Sequence, residues 1–170
     1  LEFQNFETAI GIELCNVDVY RNSFYGNDFG IWVYDGSPTI RQNIFDNNYT
    51  GVRITADVEY GSGTPPANPS IFNNLILYCV GAVSGISVEC NSGISRPLIF
   101  NNTIHSVNGT AISLDNDDGT LEPNIINNII TDCDNGIYAF GSGENPTISH
   151  NNTYQCSNPY DGFSGGTGAL

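Results

Sequence analysis

The sequence predicts an all-β fold, a β-solenoid in which each repeat forms one coil and the strands of successive coils stack in parallel. An asparagine recurs at one fixed position of every full repeat, and apolar residues alternate with polar residues around it. Alternation with a period of two is typical of strands, whereas a helix would need an apolar period of about 3.6 residues. The strand segments keep a fixed length while the connections grow, as expected when stacked strands set the size of a coil.

The repeated asparagine predicts an inward-facing ladder. It lies three residues after one apolar residue and two before another, as Asn43 does between Ile40 and Phe45. An amide inside a core is costly unless it is hydrogen bonded, and stacked coils let each amide bond the next one. We therefore assign a structural role to all members: Asn22, Asn43, Asn74, Asn102, Asn128 and Asn151.

A second strand follows each asparagine strand, and it usually reads glycine, apolar, any residue, apolar. Gly30-Ile31-Trp32-Val33 is one example, and we align Gly11-Ile12-Glu13-Leu14 with it. A weaker first copy carries the repeat positions at Leu1, Gln4, Phe6 and Ala9. Counting this copy, the repeats predict about seven coils.

Composition excludes several classes of partner. The 170 residues are 39% hydrophobic, which suffices for the core of one domain spanning residues 1–170. Four Lys and Arg residues against 18 Asp and Glu residues give a net charge of −14. We therefore expect no nucleic acid, anionic membrane surface or unaided acidic polysaccharide as partner, because those ligands need a basic surface. The sequence has no apolar run long enough for a membrane span.

The two ends of the chain do not have the sequence of a solenoid cap. The chain starts at a core position, Leu1, and ends in a glycine-rich stretch, residues 164–170. Exposed strand edges invite pairing with another chain. We expect a fragment of a longer chain, or a unit that associates end to end.

The cysteines and histidines are interpreted as structural or surface residues. Cys79, Cys133 and Cys156 share one inward repeat position, and we expect stacked free thiols there because in-register parallel strands rarely give disulfide geometry. His105 and His150 have no partner histidine at metal-ligand spacing. We expect both to be surface residues.

The chain resembles the right-handed parallel β-helix repeat family, the pectate-lyase-like superfamily. Two motifs carry the resemblance: Pro-x-Ile-x-x-Asn-x-Ile, as in residues 97–104, and Gly-Ile-x-Val, as in residues 85–88. The resemblance implies an extracellular or cell-surface protein and a right-handed coil. Members include polysaccharide lyases, glycoside hydrolases, carbohydrate-binding surface proteins and fibres. This chain has no Lys and no Gly-His-Gly, so no catalytic residue of the family is carried over.

The outward positions of the second strand predict a carbohydrate-binding face. Aromatic rings stack on the apolar face of a sugar, while carboxylates and guanidinium groups bind its hydroxyls. The alternative is that these aromatic rings only cover the strands. The candidate residues are Trp32, Tyr34, Arg53, Glu89, Asp115 and Tyr138.

Glu89 and Asp115 are equivalent outward positions in adjacent coils, which places their side chains roughly 5 Å apart. Three interpretations stay open: a catalytic pair for glycoside cleavage, a Ca²⁺ site completed by Asp117 and Asp118, or two exposed carboxylates that bind nothing. The leading hypothesis is a non-catalytic scaffold or carbohydrate-binding module with no cofactor except Ca²⁺. Its rival is a polysaccharide lyase or glycoside hydrolase, or an inactive remnant of one.

Overall fold

The computed structural model describes residues 1–57, 67–81, 83–141 and 144–162. All regular secondary structure in these ranges is β-strand, and every strand pair is parallel. No helix in the described part of the chain is long and apolar enough to cross a membrane. The predicted all-β parallel solenoid is confirmed.

Each coil contributes one strand to each of three sheets, except the last, which has strands only in sheets 1 and 2 among the described residues. Sheet 1 contains β1 (Glu2–Gln4), β4 (Ser23–Tyr25), β7 (Ile44–Asp46), β10 (Leu75–Leu77), β14 (Thr103–His105), β18 (Ile129–Thr131) and β21 (Asn152–Tyr154). Sheet 2 contains β2 (Thr8–Glu13), β5 (Phe29–Tyr34), β8 (Thr50–Ala56), β11 (Val83–Cys90), β15 (Gly109–Asn116), β19 (Asn135–Gly141) and β22 (Asn158–Asp161). Sheet 3 contains β3 (Asp18–Tyr20), β6 (Thr39–Arg41), β9 (Ser70–Phe72), β13 (Leu98–Phe100), β17 (Asn124–Ile126) and β20 (Thr147–Ser149). A further pair, β12 (Ile94–Ser95) with β16 (Thr120–Leu121), joins two of the longer connections.

The core is a column of aliphatic and aromatic side chains that stack coil upon coil. The predicted inward positions are fully buried in the central coils, and one from each sheet is Ile71, Ile76 and Ile86. Because equivalent residues are paired in register, each apolar side chain packs against its own counterpart above and below. This repetition lets a small coil bury large aliphatic groups without a second layer.

The asparagine ladder is confirmed along its whole length. Nδ2 of each member donates to Oδ1 of the next, from Asn22 to Asn43 and onward to Asn151, over 2.9–3.3 Å. The same Oδ1 accepts the backbone N–H of the preceding ladder residue, as Asn74 Oδ1 does from Asn43 N at 3.0 Å. Asn74 Nδ2 also reaches the Ile40 carbonyl at 2.9 Å. A second short ladder joins Asn27 to Asn48 at 2.8 Å.

The ladder lies at a sharp corner of each coil. The residue before each ladder asparagine has a left-handed backbone, although none of these residues is glycine. Such a conformation costs roughly 1 kcal/mol per residue, and the ladder bonds hold the corner against it. These corner residues are Arg21, Gln42, Asn73, Asn101, Asn127 and His150, with φ between 54° and 57°.

The predicted alignment of the first coil is wrong by three residues on sheet 1 and by two residues on sheet 2. Phe3, not Phe6, pairs with Phe24, and Leu1 therefore lies at the ladder position. On sheet 2, Gly11 pairs with Trp32 rather than with Gly30. A slip of two residues there keeps every side chain on its original face, so the alternation in the sequence could not detect it. Ring stacking identifies the register in the structure, because the Phe3 and Phe24 centroids lie 5.2 Å apart and the Phe24 and Phe45 centroids 4.8 Å apart.

The five cysteines are free thiols, which confirms the prediction made for Cys79, Cys133 and Cys156. Cys79 and Cys133 are buried in the core, and this burial raises the pKa of both thiols to about 12. Thiolate is the reactive form, so these two side chains act as small apolar groups at neutral pH.

The longer connections follow the strands of sheet 2, as expected. The connections after β11 and β15 stack on each other through the β12–β16 pair, and isolated bridges join Ala67 to Ser95 and Leu121 to Glu144. Most of the connection after β8, residues 58–66, lies outside the described residues, as do residues 163–170, which include the glycine-rich stretch.

Candidate functional site

The outer face of sheet 2 carries the residues predicted to bind carbohydrate. Alternation points their side chains away from the buried row that contains Ile31 and Val33. Paired registers define two outer rows. The first is Gly11, Trp32, Arg53, Ser87, Ser113 and Tyr138. The second is Glu13, Tyr34, Thr55, Glu89, Asp115 and Phe140.

The prediction that Glu13 shares a row with Trp32 is wrong. The two-residue shift of the first coil moves Glu13 beside Tyr34 and places Gly11 beside Trp32. Both changes matter for the site. Gly11 has no side chain to cover the indole ring, and Glu13 brings a carboxylate next to a phenol.

Trp32 and Tyr34 line an open depression on this face. It has a volume of about 540 Å³ and is lined by Gly11, Ile12, Glu13, Trp32 and Tyr34. A Cβ atom at Gly11 would meet no other atom within 4 Å, so the space over this strand is empty. We call these five residues the aromatic depression.

Hydrogen bonds fix both aromatic rings of the aromatic depression. Trp32 Nε1 donates to Thr55 Oγ1 over 3.1 Å, and the Tyr34 hydroxyl bonds Asp57 Oδ2 over 3.1 Å. Asp57 is itself held, because its backbone N–H donates to Asp35 Oδ1 at 2.9 Å. A ring that is already held in place loses little conformational entropy when a ligand binds to it. The sequence prediction did not count Thr55 or Asp57 among the site residues. Thr55 shares the outer row of Tyr34 but has neither a ring nor a charge, and Asp57 lies in the connection after β8.

Arg53 packs against Trp32 on the side away from Gly11. Its guanidinium carbon lies 4.9 Å from the Trp32 ring centroid and 5.3 Å from that of Phe29. Its Nη2 donates to Glu89 Oε2 over 2.6 Å in a half-buried ion pair. Arg53 therefore packs against the indole ring from the side opposite Gly11.

Glu89 and Asp115 are neighbours across β11 and β15, as predicted, but their surroundings differ. Glu89 accepts bonds from Arg53 and, over 3.2 Å, from the Ser87 hydroxyl. Asp115 Oδ1 is buried without a hydrogen-bond partner. Burial raises the pKa of Asp115, and the nearby carboxylates of Asp117, Glu89 and Glu144 add to the effect.

The predicted calcium ligands do not converge in the described structure. Asp117 and Asp118 are exposed in the turn after β15, where their backbone N–H groups bond the carbonyls of Cys90 and Asn91. Among the described residues, no group of three or more His, Cys, Asp or Glu side chains is placed to hold a metal ion. Ca²⁺ binding stays a prediction.

Tyr138 lies in the same row as Trp32 but four strands away. With neighbouring strands about 4.8 Å apart, the two side chains are separated by roughly 19 Å. Tyr138 is half-buried and lies outside the aromatic depression, while Phe140 beside it is 62% exposed. The predicted aromatic row is present, and its N-terminal end forms the aromatic depression.

Comparison with known proteins identifies the fold family. A family model described as "Right handed beta helix region" matches residues 84–169, which is half of the chain. Comparisons with curated proteins and with solved structures give no match. The coiled parallel sheets and this match lead to the same conclusion: the chain belongs to the right-handed β-helix family.

Proposed function

We propose that this protein is a non-catalytic module that binds a neutral polysaccharide at the aromatic depression. The observation that carries the proposal is the pairing of two fixed aromatic rings, Trp32 and Tyr34, with an open space over Gly11. A sugar ring has an apolar face that stacks on such rings. Most ligand sites combine a largely apolar concave surface with a few polar groups.

The charge of the site favours a neutral ligand. Glu13 lies exposed beside Tyr34, and Asp57 accepts a hydrogen bond from the Tyr34 hydroxyl. Carboxylates accept hydrogen bonds from sugar hydroxyls but repel uronate and sulfate groups. The one cation of the outer row, Arg53, is already paired with Glu89. A net charge of −14 adds long-range repulsion of anionic polymers.

The face beyond the aromatic depression offers a path for a longer chain. Arg53, Ser87, Ser113 and Tyr138 continue the row of Trp32 along the solenoid axis. We propose that a polysaccharide is held at the aromatic depression and extends over this row. Such a ligand would place the protein outside the cell or at its surface, as in the carbohydrate-binding branch of the pectate-lyase-like superfamily that the sequence resembles.

Titration calorimetry against a panel of neutral and uronate-containing polysaccharides tests the proposal. Trp32→Ala should weaken binding of a neutral glycan about tenfold or more, which corresponds to about 1.4 kcal/mol. Gly11→Leu should weaken it similarly by filling the depression. The matched control is Tyr154→Ala, because Tyr154 is exposed on sheet 1, far from the site. Binding that neither Trp32→Ala nor Gly11→Leu alters, or no neutral glycan bound at all, would remove the proposal.

A second candidate, polysaccharide cleavage, is favoured by one observation. Asp115, with its raised pKa, lies beside the Arg53-paired carboxylate of Glu89, and glycosidases use one protonated and one ionised carboxyl group. If this pair were catalytic, Glu89→Gln and Asp115→Asn would each abolish release of reducing ends or unsaturated products. Turnover that survives both substitutions excludes the pair.

A further inference from the structure

Sheet 1 carries a second cluster of chemically active side chains, far from the aromatic depression. His105 is the last residue of β14, and Ser106 follows it at the corner of the coil. The next coil brings Thr131 and Asp132 beside them, because His105 pairs in register with Thr131. The sequence prediction treated His105 as an isolated surface residue. The structure instead places it between a hydroxyl and a carboxylate.

His105 contacts one carboxylate and two hydroxyl groups at the same time. His105 Nδ1 lies 3.1 Å from Asp132 Oδ2 and 2.8 Å from Thr131 Oγ1. His105 Nε2 lies 3.1 Å from Ser106 Oγ. The two ring nitrogens therefore face different partners, with a carboxylate at one end and a serine hydroxyl at the other.

The carboxylate determines the tautomer of the ring. An ionised carboxylate only accepts hydrogen bonds, so the proton of a neutral His105 resides on Nδ1, where Asp132 faces it and the Thr131 hydroxyl oxygen is a second acceptor. Nε2 then carries the lone pair. The Ser106 hydroxyl, which is the nearest partner of Nε2, donates its proton to that lone pair. This is the order of contacts that activates a serine: hydroxyl to base, and base to an orienting carboxylate.

We propose that Ser106 is a nucleophile for esters of small carboxylic acids, with His105 as its general base and Asp132 as a positioning residue. Ser106 Oγ attacks the ester carbonyl while its proton passes to His105 Nε2. The alcohol leaves with that proton, and an acyl group stays bound to Ser106. Water, deprotonated by the same Nε2, then releases the carboxylic acid and restores the hydroxyl.

The surroundings of Ser106 favour a small or flat acyl group. On the preceding coil, Tyr78 approaches His105 edge-on with ring centroids 5.7 Å apart, and half of its surface is exposed. An acyl group on Ser106 would find apolar surface here and open solvent for the leaving alcohol.

Two measurements on the intact chain test the proposal: the mass of the adduct formed with a fluorophosphonate probe, and the rate of p-nitrophenyl acetate hydrolysis. We expect one adduct, located on Ser106 by peptide mass analysis. Ser106→Ala should abolish it, and His105→Gln should slow both labelling and hydrolysis about 100-fold, since a positioned base contributes roughly 10²–10⁴. Asp132→Asn should slow both reactions and Asp132→Glu should restore part of the rate, a rescue that a purely structural role would not produce.

Controls keep the result interpretable. Ser149 precedes the chain's other histidine, His150, but no hydrogen bond joins their side chains among the described contacts, so Ser149→Ala should leave labelling unchanged. Ser106 has a left-handed backbone with φ of 54°, so Ser106→Gly serves as a second variant that this corner accepts without strain. No adduct, an adduct on another residue, or a rate that His105→Gln leaves unchanged in a folded protein would overturn the proposal.

Discussion

Glu89 and Asp115 lie directly opposite each other on β11 and β15, yet their carboxyl groups differ in environment. Glu89 Oε2 is 2.6 Å from Arg53 Nη2, whereas Asp115 Oδ1 is buried without a hydrogen-bond partner. The solenoid repeats its backbone but not its outer side chains, so equivalent positions acquire different chemistry.

Asp115 should make stability depend on pH in a direction opposite to that of most aspartates. Its pKa in the folded protein is raised above the ordinary value of 3.8, first by burial and then by the carboxylates of Asp117, Glu89 and Glu144. The folded state therefore holds the Asp115 proton more tightly than the unfolded chain does. The resulting stabilisation is complete below about pH 3.8 and is lost as the pH rises through the folded pKa.

The substitution Asp115→Asn removes the pH dependence of stability that Asp115 causes. We expect the variant to be more stable than the wild type at about pH 7, and the difference to shrink as the pH falls to about 3. Urea unfolding at a series of pH values measures it. Asp118→Asn, an exposed change in the same turn, is the control and should show no such trend. A difference between wild type and Asp115→Asn that grows towards low pH would contradict the assignment.

Asn74→Ala should destabilise the fold strongly, because it removes one rung from the middle of the ladder. The substitution leaves the Ile40 carbonyl and the Asn43 N–H buried without the partners they have now. Each such group costs about 1–3 kcal/mol, so we expect a loss of about 3 kcal/mol in the free energy of unfolding.

The comparison variants for Asn74 are Asn22→Ala and Asn91→Ala. Asn22 is the first ladder member and donates to Asn43 at 3.3 Å, so its loss should cost less. Asn91 is exposed and outside the ladder, and its substitution should change stability by about 0.5 kcal/mol or less. Equal effects of all three substitutions in urea unfolding would show that the ladder is not what makes Asn74 important.

Gly51 and Gly11 should respond to the same substitution in opposite ways. A Cβ at Gly51 would lie 2.7 Å from the Gly85 carbonyl of the next coil, whereas a Cβ at Gly11 would touch nothing within 4 Å. We expect Gly51→Ala to lower the free energy of unfolding by about 1–3 kcal/mol. Gly11→Ala should be neutral or stabilising by a few tenths of a kcal/mol, because alanine restricts the unfolded chain. Thermal unfolding of both variants gives the comparison, and a Gly51→Ala protein as stable as the wild type would refute the close contact.

The sequence by itself determined the solenoid, the ladder and the face of each strand. Asn74 and Ile76 reveal their positions because the asparagine recurs in six coils and an apolar residue follows it by two positions in five of them, and a repeated amide inside a core is explained by a hydrogen-bonded ladder. Alternation likewise placed Trp32, Arg53, Glu89 and Asp115 on one outer face. These features depend on local pattern and on equivalence between coils, both of which can be read from a linear chain.

Only the tertiary structure decided which outer residues meet. The register of the first coil, and with it the open space over Gly11 beside Trp32, depends on the stacking of Phe3 on Phe24. Alternation along the strand of Gly11 cannot detect a slip of two residues. The contact of His105 with Asp132 depends on side-chain directions at a corner, where no periodicity applies. Repetition therefore specifies the scaffold, and the non-repeated side chains specify the sites, because their contacts arise between coils that lie more than twenty residues apart in sequence.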